Sequence, residues 1–268
     1  MSGPRRRVVV LLCLLAGGAF VAMAAGVIAP EAGSRIELSE GLRPPALAHP
    51  LGQDKLGRDV FARTLAGARI SCAVALASVT VSVAIGVLVG AAAGFLGGIT
   101  DTLLMRMVDV LLAFPGLLLA IALAGMLGPG IGNVIVALSA FGWTGYARLV
   151  RGEVRRVRAL EHVRAAVALG VAPRHVVTRH VLPLIAAPLV VQAAFGAAAA
   201  VVAEASLSFL GLGVRLPSAS WGSMLAEARS FVVEAPHLVV GPGLAITAFV
   251  LVLQLLGDAL RDALDVRE

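Results

Sequence analysis

The sequence predicts an all-α integral membrane protein with six transmembrane helices and both termini in the cytoplasm. Three observations carry that expectation. Of 268 residues, 59% are hydrophobic and only 14% charged, too little charge to cover a soluble domain of this length. Mean hydropathy is +0.95, and the apolar residues gather in blocks about as long as the roughly 20 residues that cross a bilayer as a helix. The basic residues are also shared unevenly among the segments joining those blocks.

The six blocks are residues 8–30, 70–97, 103–127, 131–150, 182–205 and 238–257. They read as helices, because a transmembrane barrel would show short alternating segments. Residues 207–231 are mixed, with Pro217, Trp221 and Glu227 interrupting them, and read as a loop with short helices. The first block follows Arg5, Arg6 and Arg7, and its Ala22-Met23-Ala24 resembles a signal-peptidase site. Its apolar run is longer than the 7–15 residues of a signal peptide, so an uncleaved anchor is expected. Cys13 and Cys72 are two isolated residues at apolar positions, which suggests neither a disulfide framework nor a metal site.

The net charge of +6 raises the question of nucleic acid. The basic residues are spread through the loops and the chain has one Tyr, so nothing resembles an aromatic-lined nucleic-acid groove. Membrane orientation accounts for the charge better. With six alternating spans and the N-terminus inside, 14 basic residues fall on the cytoplasmic side and 8 outside. The segment between spans four and five holds Arg148, Arg151, Arg155, Arg156, Arg158, Arg164, Arg174 and Arg179. By the positive-inside rule that segment is cytoplasmic.

Within it lies "EHVRAAVALGVAPRHVVTRHVLP", residues 161–183. Residues 161–169 suit a short helix with Val163, Ala166 and Val167 on one side and Glu161 and Arg164 on another. Gly170 permits a left-handed or tight turn, Pro173 suits the first turn of a second helix, and Pro183 marks re-entry into the membrane. Two uses fit this helix–turn–helix. It can be an arginine-rich amphipathic element resting on anionic lipid. It can also dock a soluble cytoplasmic partner, whose backbone the small pair Ala165-Ala166 lets approach closely.

The stretch resembles the cytoplasmic "EAA" loop of ABC-importer permeases, E-A-A-x3-G-x9-I-x-L-P, which reads here as Arg164-Ala165-Ala166, Gly170, His180 and Leu182-Pro183. The resemblance continues through "HPLGQDKLGRDVFARTLAGARIS" (49–71), "DTLLMRMVDVLLAFPGLLLAIALAGMLGPGIGN" (101–133), "YARLVRGEV" (146–154), "EASLSFLGLGVRLPSASWGSML" (204–225) and "LLGDALRDALD" (255–265). These are similar to the C-type permease subunit of dipeptide, oligopeptide and nickel importers. The resemblance implies a type I ABC-importer permease fold in a bacterial cytoplasmic (inner) membrane. It also implies a second six-helix permease as hetero-dimer partner, two cytoplasmic ABC ATPases and an extracytoplasmic substrate-binding protein. No cofactor is expected on this chain, ATP being used by the partner ATPase. The cargo would be a peptide or a related small solute such as a nickel complex. The organisation expected is an N-terminal segment (1–45), an external loop with an amphipathic segment (46–70), and a five-helix core (71–268) with its coupling loop at 151–181. The coupling loop would act through Glu161, Arg164, Ala165, Ala166, Gly170, Leu182 and Pro183. Where the family motif has an acid this chain has Arg164, and Glu161, one turn earlier, is a substitute on the same helix face.

Three residues are candidates for a translocation path or gate. A charge in the bilayer core costs about 2.5–3.5 kcal/mol and faces protein or water. Asp109 sits inside the third span and can pair with Arg106, three residues away, as an anchor. Glu204 ends the fifth span. Pro115, followed by Gly116, removes a backbone hydrogen bond in mid-span and predicts a kink. Gly86, Gly90, Gly94 and Gly98 recur every four residues, a face for close helix packing either within the chain or across a dimer. Phe61, Leu65 and Ile70 predict a short interfacial helix before span two. His49 and Asp54 do not make a metal site.

A stand-alone secondary transporter or channel is the alternative. It would carry several ionisable residues in mid-span or paired broken helices, and only Asp109 and Pro115 answer to that. No G-x4-G-K-[ST] phosphate loop, H-E-x-x-H or G-x-S-x-G occurs, so no ATPase, zinc-protease or serine-hydrolase chemistry is expected here.

Overall fold

The computed structural model describes residues 6–17, 35–214 and 218–264. Residues 6–17 are helical (α1), and the rest of the first apolar block lies outside the described residues. The helices that follow are α2 (Val60–Leu96), α3 (Gly98–Leu112), α4 (Gly116–Leu127), α5 (Ile131–Arg158), α6 (Glu161–Ala168), α7 (Pro173–Val176), α8 (Leu182–Phe209), α9 (Trp221–Ala228) and α10 (His237–Leu264). No strand occurs among the described residues. Among the described residues, three helices are long and apolar enough to cross a membrane: Val60–Leu96, the continuous run Arg174–Phe209, and His237–Leu264. The α3–α4 pair passes the same test together but is bent by 83°.

Two expectations change here. The short interfacial helix before span two is the first part of α2 itself, so a boundary at residue 70 falls inside a helix. Asp59 caps α2, its side chain accepting from the Ala62 amide at 2.7 Å, which satisfies an otherwise free N-terminal donor. Pro115 is more than a kink. It stands between two helices as the cap of α4, because its ring forbids the helical hydrogen bond that would carry α3 onward.

The core is built on α2 and α5. Ser139 donates to the Ser78 carbonyl at 3.3 Å, and further along a Cβ added at Gly90 would lie 2.5 Å from the Ala147 carbonyl oxygen, one at Gly94 2.9 Å from that of Arg151. The two helices therefore run parallel in backbone contact, which only residues lacking Cβ allow. The glycine face of α2 is spent inside the chain at Gly86, Gly90 and Gly94. Gly98 falls outside it, at the start of α3 with nothing within 4 Å.

Parallel α2 and α5 require the chain to return between them. Met105 and Val108 of α3 pack with Ala93, and Ala120 and Ala124 of α4 pack with Val74, so the bent pair makes that return. Helix α8 runs against α2, with Glu204 beside Ser71. In α10, Gly241 lies against Thr64 at the start of α2 and Gly257 against Phe195, so α10 again follows α2. The molecule thus has one end carrying α9 and the opposite end carrying α6 and the close of α10.

Candidate functional site: the helix–turn–helix at the α6 end

Helix α5 carries Arg155, Arg156 and Arg158 in its last turn, where cations complement the helix dipole. The chain breaks at Ala159 and restarts as α6 from Leu160, whose extended backbone ends the helical run. Val163 is the only buried residue of α6. It enters a cluster with Val150, Val154, Val157, Val176, Val181 and Ile185. The other seven positions are exposed or partly so. Glu161, His162 and Ala165 form a free outer arc with Leu169, which is 84% exposed. Ala166 is half-buried.

Gly170 closes α6 at φ +77°. Its amide donates to the Val167 carbonyl at 3.0 Å and the Val171 amide to that of Ala166 at 3.1 Å. That pair of bonds is a Schellman ending, and it needs a residue comfortable in the left-handed region. Val171 then packs against the valine cluster. The second helix of the motif begins at Pro173, as expected, but it is not a separate element. A π-helical turn at Val177–Val181, where the Leu182 amide reaches the Val177 carbonyl, joins it to α8. Such turns sit often at functional positions in helices. Leu182 packs on the valine cluster, while Pro183 is exposed in the first turn of α8.

Behind α6 lies a cleft of about 590 Å³ between the ends of α2 and α5, lined by Arg155, Arg158, Arg164 and Val167 among others. Sequence reading missed the anchor beside it. Asp101, 5% exposed, accepts from Arg151 Nε at 2.5 Å and Nη2 at 2.7 Å, and from Arg155 at 2.5 Å. The signal available was the spacing of Arg151 and Arg155, four apart on one face of α5. Their target across the chain had no signal.

The three path candidates are scattered. Asp109 pairs with Arg148 of α5 at 2.7 Å, both side chains more than half exposed. The expected partner Arg106 is displaced because α5 brings a guanidinium alongside α3. Pro115 marks the α3–α4 break. Glu204 is 1% exposed and sealed between helices, accepting from Ser71 Oγ at 2.8 Å and Ser208 Oγ at 2.6 Å. Ser71 Oγ also accepts from the Trp221 amide at 3.3 Å.

At the α9 end, Arg58 and Arg63 are both held between Asp54 and Glu227, all four within one buried or half-buried network. Arg58 meets Asp54 and Glu227 at 2.7 Å each, and Arg63 meets Glu227 at 2.9 Å. His49 pairs with Asp59 at 2.6 Å.

Residues 86–268 match the family described as "Binding-protein-dependent transport system inner membrane component". The chain is 46% identical over 228 residues to the glutathione transport system permease protein GsiD of Pectobacterium atrosepticum, covering 85% of this chain and 75% of that one. It is 45% identical over 221 residues to the same-named proteins of Escherichia coli O6:K15:H31 and Shigella boydii serotype 4, covering 82% of this chain and 73% of each. Those relatives are permease subunits of transport systems, and this chain is a multi-pass transport subunit rather than an enzyme, the ATPase being a separate chain. A glycine-welded helix pair, a bent helix pair and an exposed two-helix loop thus belong to a member of the binding-protein-dependent transport permeases, within the ABC importers of the peptide and nickel type.

Proposed function

We propose that this chain forms half of the membrane path of an ATP-driven importer whose cargo is a small peptide of the size of glutathione. The cargo reading rests on the names of the relatives. The coupling reading rests on one observation, that α6 is anchored by Val163 alone and offers a free arc of Glu161, Ala165 and Leu169. In this reading an ATPase grips that arc and moves α6, the Gly170 turn and Leu182-Pro183 as one lever. Arg164 points into the cleft with Arg155 and Arg158, so Glu161 is the charge that an ATPase groove meets. Six spans, with the first in residues 8–30 and both termini cytoplasmic, agree with the alternating helix directions and with the eight arginines between spans four and five. The membrane is the bacterial inner membrane. A second six-helix permease, two ATPases and an extracytoplasmic binding protein complete the assembly. Asp109 and Glu204 act as internal joints, and Pro115 shapes the crossing.

Purification of the wild type and Gly170→Pro from native membranes tests the coupling reading. An ATPase and a second permease should accompany the wild type, and the ATPase should be lost from the variant, because proline cannot take a positive φ. Equal ATPase recovery with both would sink it. Binding-protein-dependent uptake of labelled glutathione, a dipeptide and a nickel chelate tests the cargo. Uptake of the nickel chelate alone would reject the peptide.

A further inference from the structure

The cleft behind α6 is unused by the coupling reading, which concerns the opposite arc of that helix. Its chemistry is one-sided. Three guanidiniums, from Arg155 and Arg158 at the end of α5 and Arg164 on α6, line it together, and no carboxylate does. The neighbouring acids are taken. Asp101 is clamped by Arg151 and Arg155, and Glu153 by Arg156 at 2.7 Å. Arg158 is steadied by a neutral partner, donating to the Phe95 carbonyl at 2.6 Å with its guanidinium 5.3 Å from the Phe95 ring centroid. Arg164 has no ion-pair partner among the described residues. Arg155 already shares Asp101, so the cleft's uncompensated positive charge comes from Arg158 and Arg164, set around a volume of about 590 Å³, and guanidinium forks match phosphate oxygens in pairs.

Its position narrows the source of that phosphate. Gly97 lines the cleft and follows an apolar run, residues 70–96, that is roughly 40 Å long at 1.5 Å per residue and so ends at a bilayer boundary about 30 Å from the other. Leu96 and Ile99, on either side of the glycine pair, are 62% and 80% exposed. A free phosphate would make no use of these exposed apolar neighbours of Gly97, whereas an acyl chain would lie along them. We infer that the cleft lined by Arg155, Arg158 and Arg164 is a binding site for the phosphate headgroup of an anionic phospholipid, whose acyl chains run past Leu96 and Ile99. Basic pockets between membrane helices bind such headgroups on general grounds. The site depends on the membrane embedding of α2 and not on any ATPase contact.

Native mass spectrometry of the full-length chain, titrated with phosphatidylglycerol or phosphatidylcholine, tests this. The wild type should retain phosphatidylglycerol in preference to phosphatidylcholine. Arg158→Gln/Arg164→Gln should weaken phosphatidylglycerol alone by about thirtyfold, following the scale of basic residues at an anionic surface. Arg174→Gln/Arg179→Gln, on the same loop outside the cleft, should retain the preference. Arg164→Gln alone, at an exposed side chain, keeps the test valid if the double variant unfolds, and should give a smaller loss in the same direction. An unchanged preference in both cleft variants overturns the site. Displacement of phosphatidylglycerol by inorganic phosphate, with phosphatidylcholine bound equally well, overturns the lipid and leaves a soluble phosphate site. Because the readout needs no ATPase, failure of the coupling reading and failure of this site are separately visible.

Discussion

The two ends of the molecule spend their arginines differently. At the α9 end, Arg58 and Arg63 are about 5% and 3% exposed and locked between Asp54 and Glu227. Next to them Trp221 donates its ring N–H to the Thr64 carbonyl at 2.9 Å, and Glu204 is held by two serines. At the α6 end, Asp101 at the start of α3 is clamped by Arg151 and Arg155, but Arg158 and Arg164 face a cleft, the packed interior is almost all valine, and a whole helix hangs on one side chain. Charges buried in pairs fix geometry, because any movement strands a carboxylate away from both water and partner. Charges set around open space leave an element ready to meet something else. One end is a fixed frame and the other is a surface with work to do.

The comparison breaks most easily at the frame. Arg63→Ala should lower stability by about 3–5 kcal/mol, since it leaves Asp54 and Glu227 sharing one guanidinium; thermal unfolding in detergent reads it. A loss below 1 kcal/mol would mean that the α9 end is no tighter than the α6 end. The weld between the ends comes next. Gly90→Leu should cost about 1–3 kcal/mol, or more, by forcing α2 from α5, and the same unfolding measurement checks it. Gly170→Ala should cost about 1–2 kcal/mol for a left-handed residue with a Cβ, and hydrogen exchange should show faster opening confined to α6. If exchange quickened at the α9 end too, the two ends would not be independent. The smallest effect belongs to Asp109→Ala, whose exposed pair with Arg148 should be worth less than about 1 kcal/mol. A larger drop in unfolding temperature would put Asp109 with the frame instead.

These contrasts were only partly legible in the sequence. The blocks were, since hydropathy is a local property: the second block lies inside α2 up to Leu96, and residues 238–257 lie inside α10. The turn at Gly170 was legible because a small set of residues accepts positive φ. The four-residue glycine spacing announced close packing but not its partner, which is a fact about α5 and not about α2. Its fourth member, Gly98, kept the spacing and lost the face, because the helix ends at Gly97 with φ +69°. Asp109 looked toward Arg106 because sequence shows only near neighbours, yet its partner is 39 residues away. Arg63 and Glu227, 164 apart, lay further beyond reach. Pro115 predicted a kink within one helix and not a break between two, because the size of an angle is decided by what packs on either side.

A π-helical turn is an α-helix with one residue to spare, so the joint at Val177–Val181 works like an index on a dial. Removing one residue there would restore the ordinary register and turn everything upstream, α6 included, by about 100° about the axis of α8. Val163, Val171 and Val176 would have to leave the valine cluster for that to happen. The direction in which this loop faces is therefore set by a residue count more than by the strength of any contact, and a chain of this design can be re-aimed by a single codon.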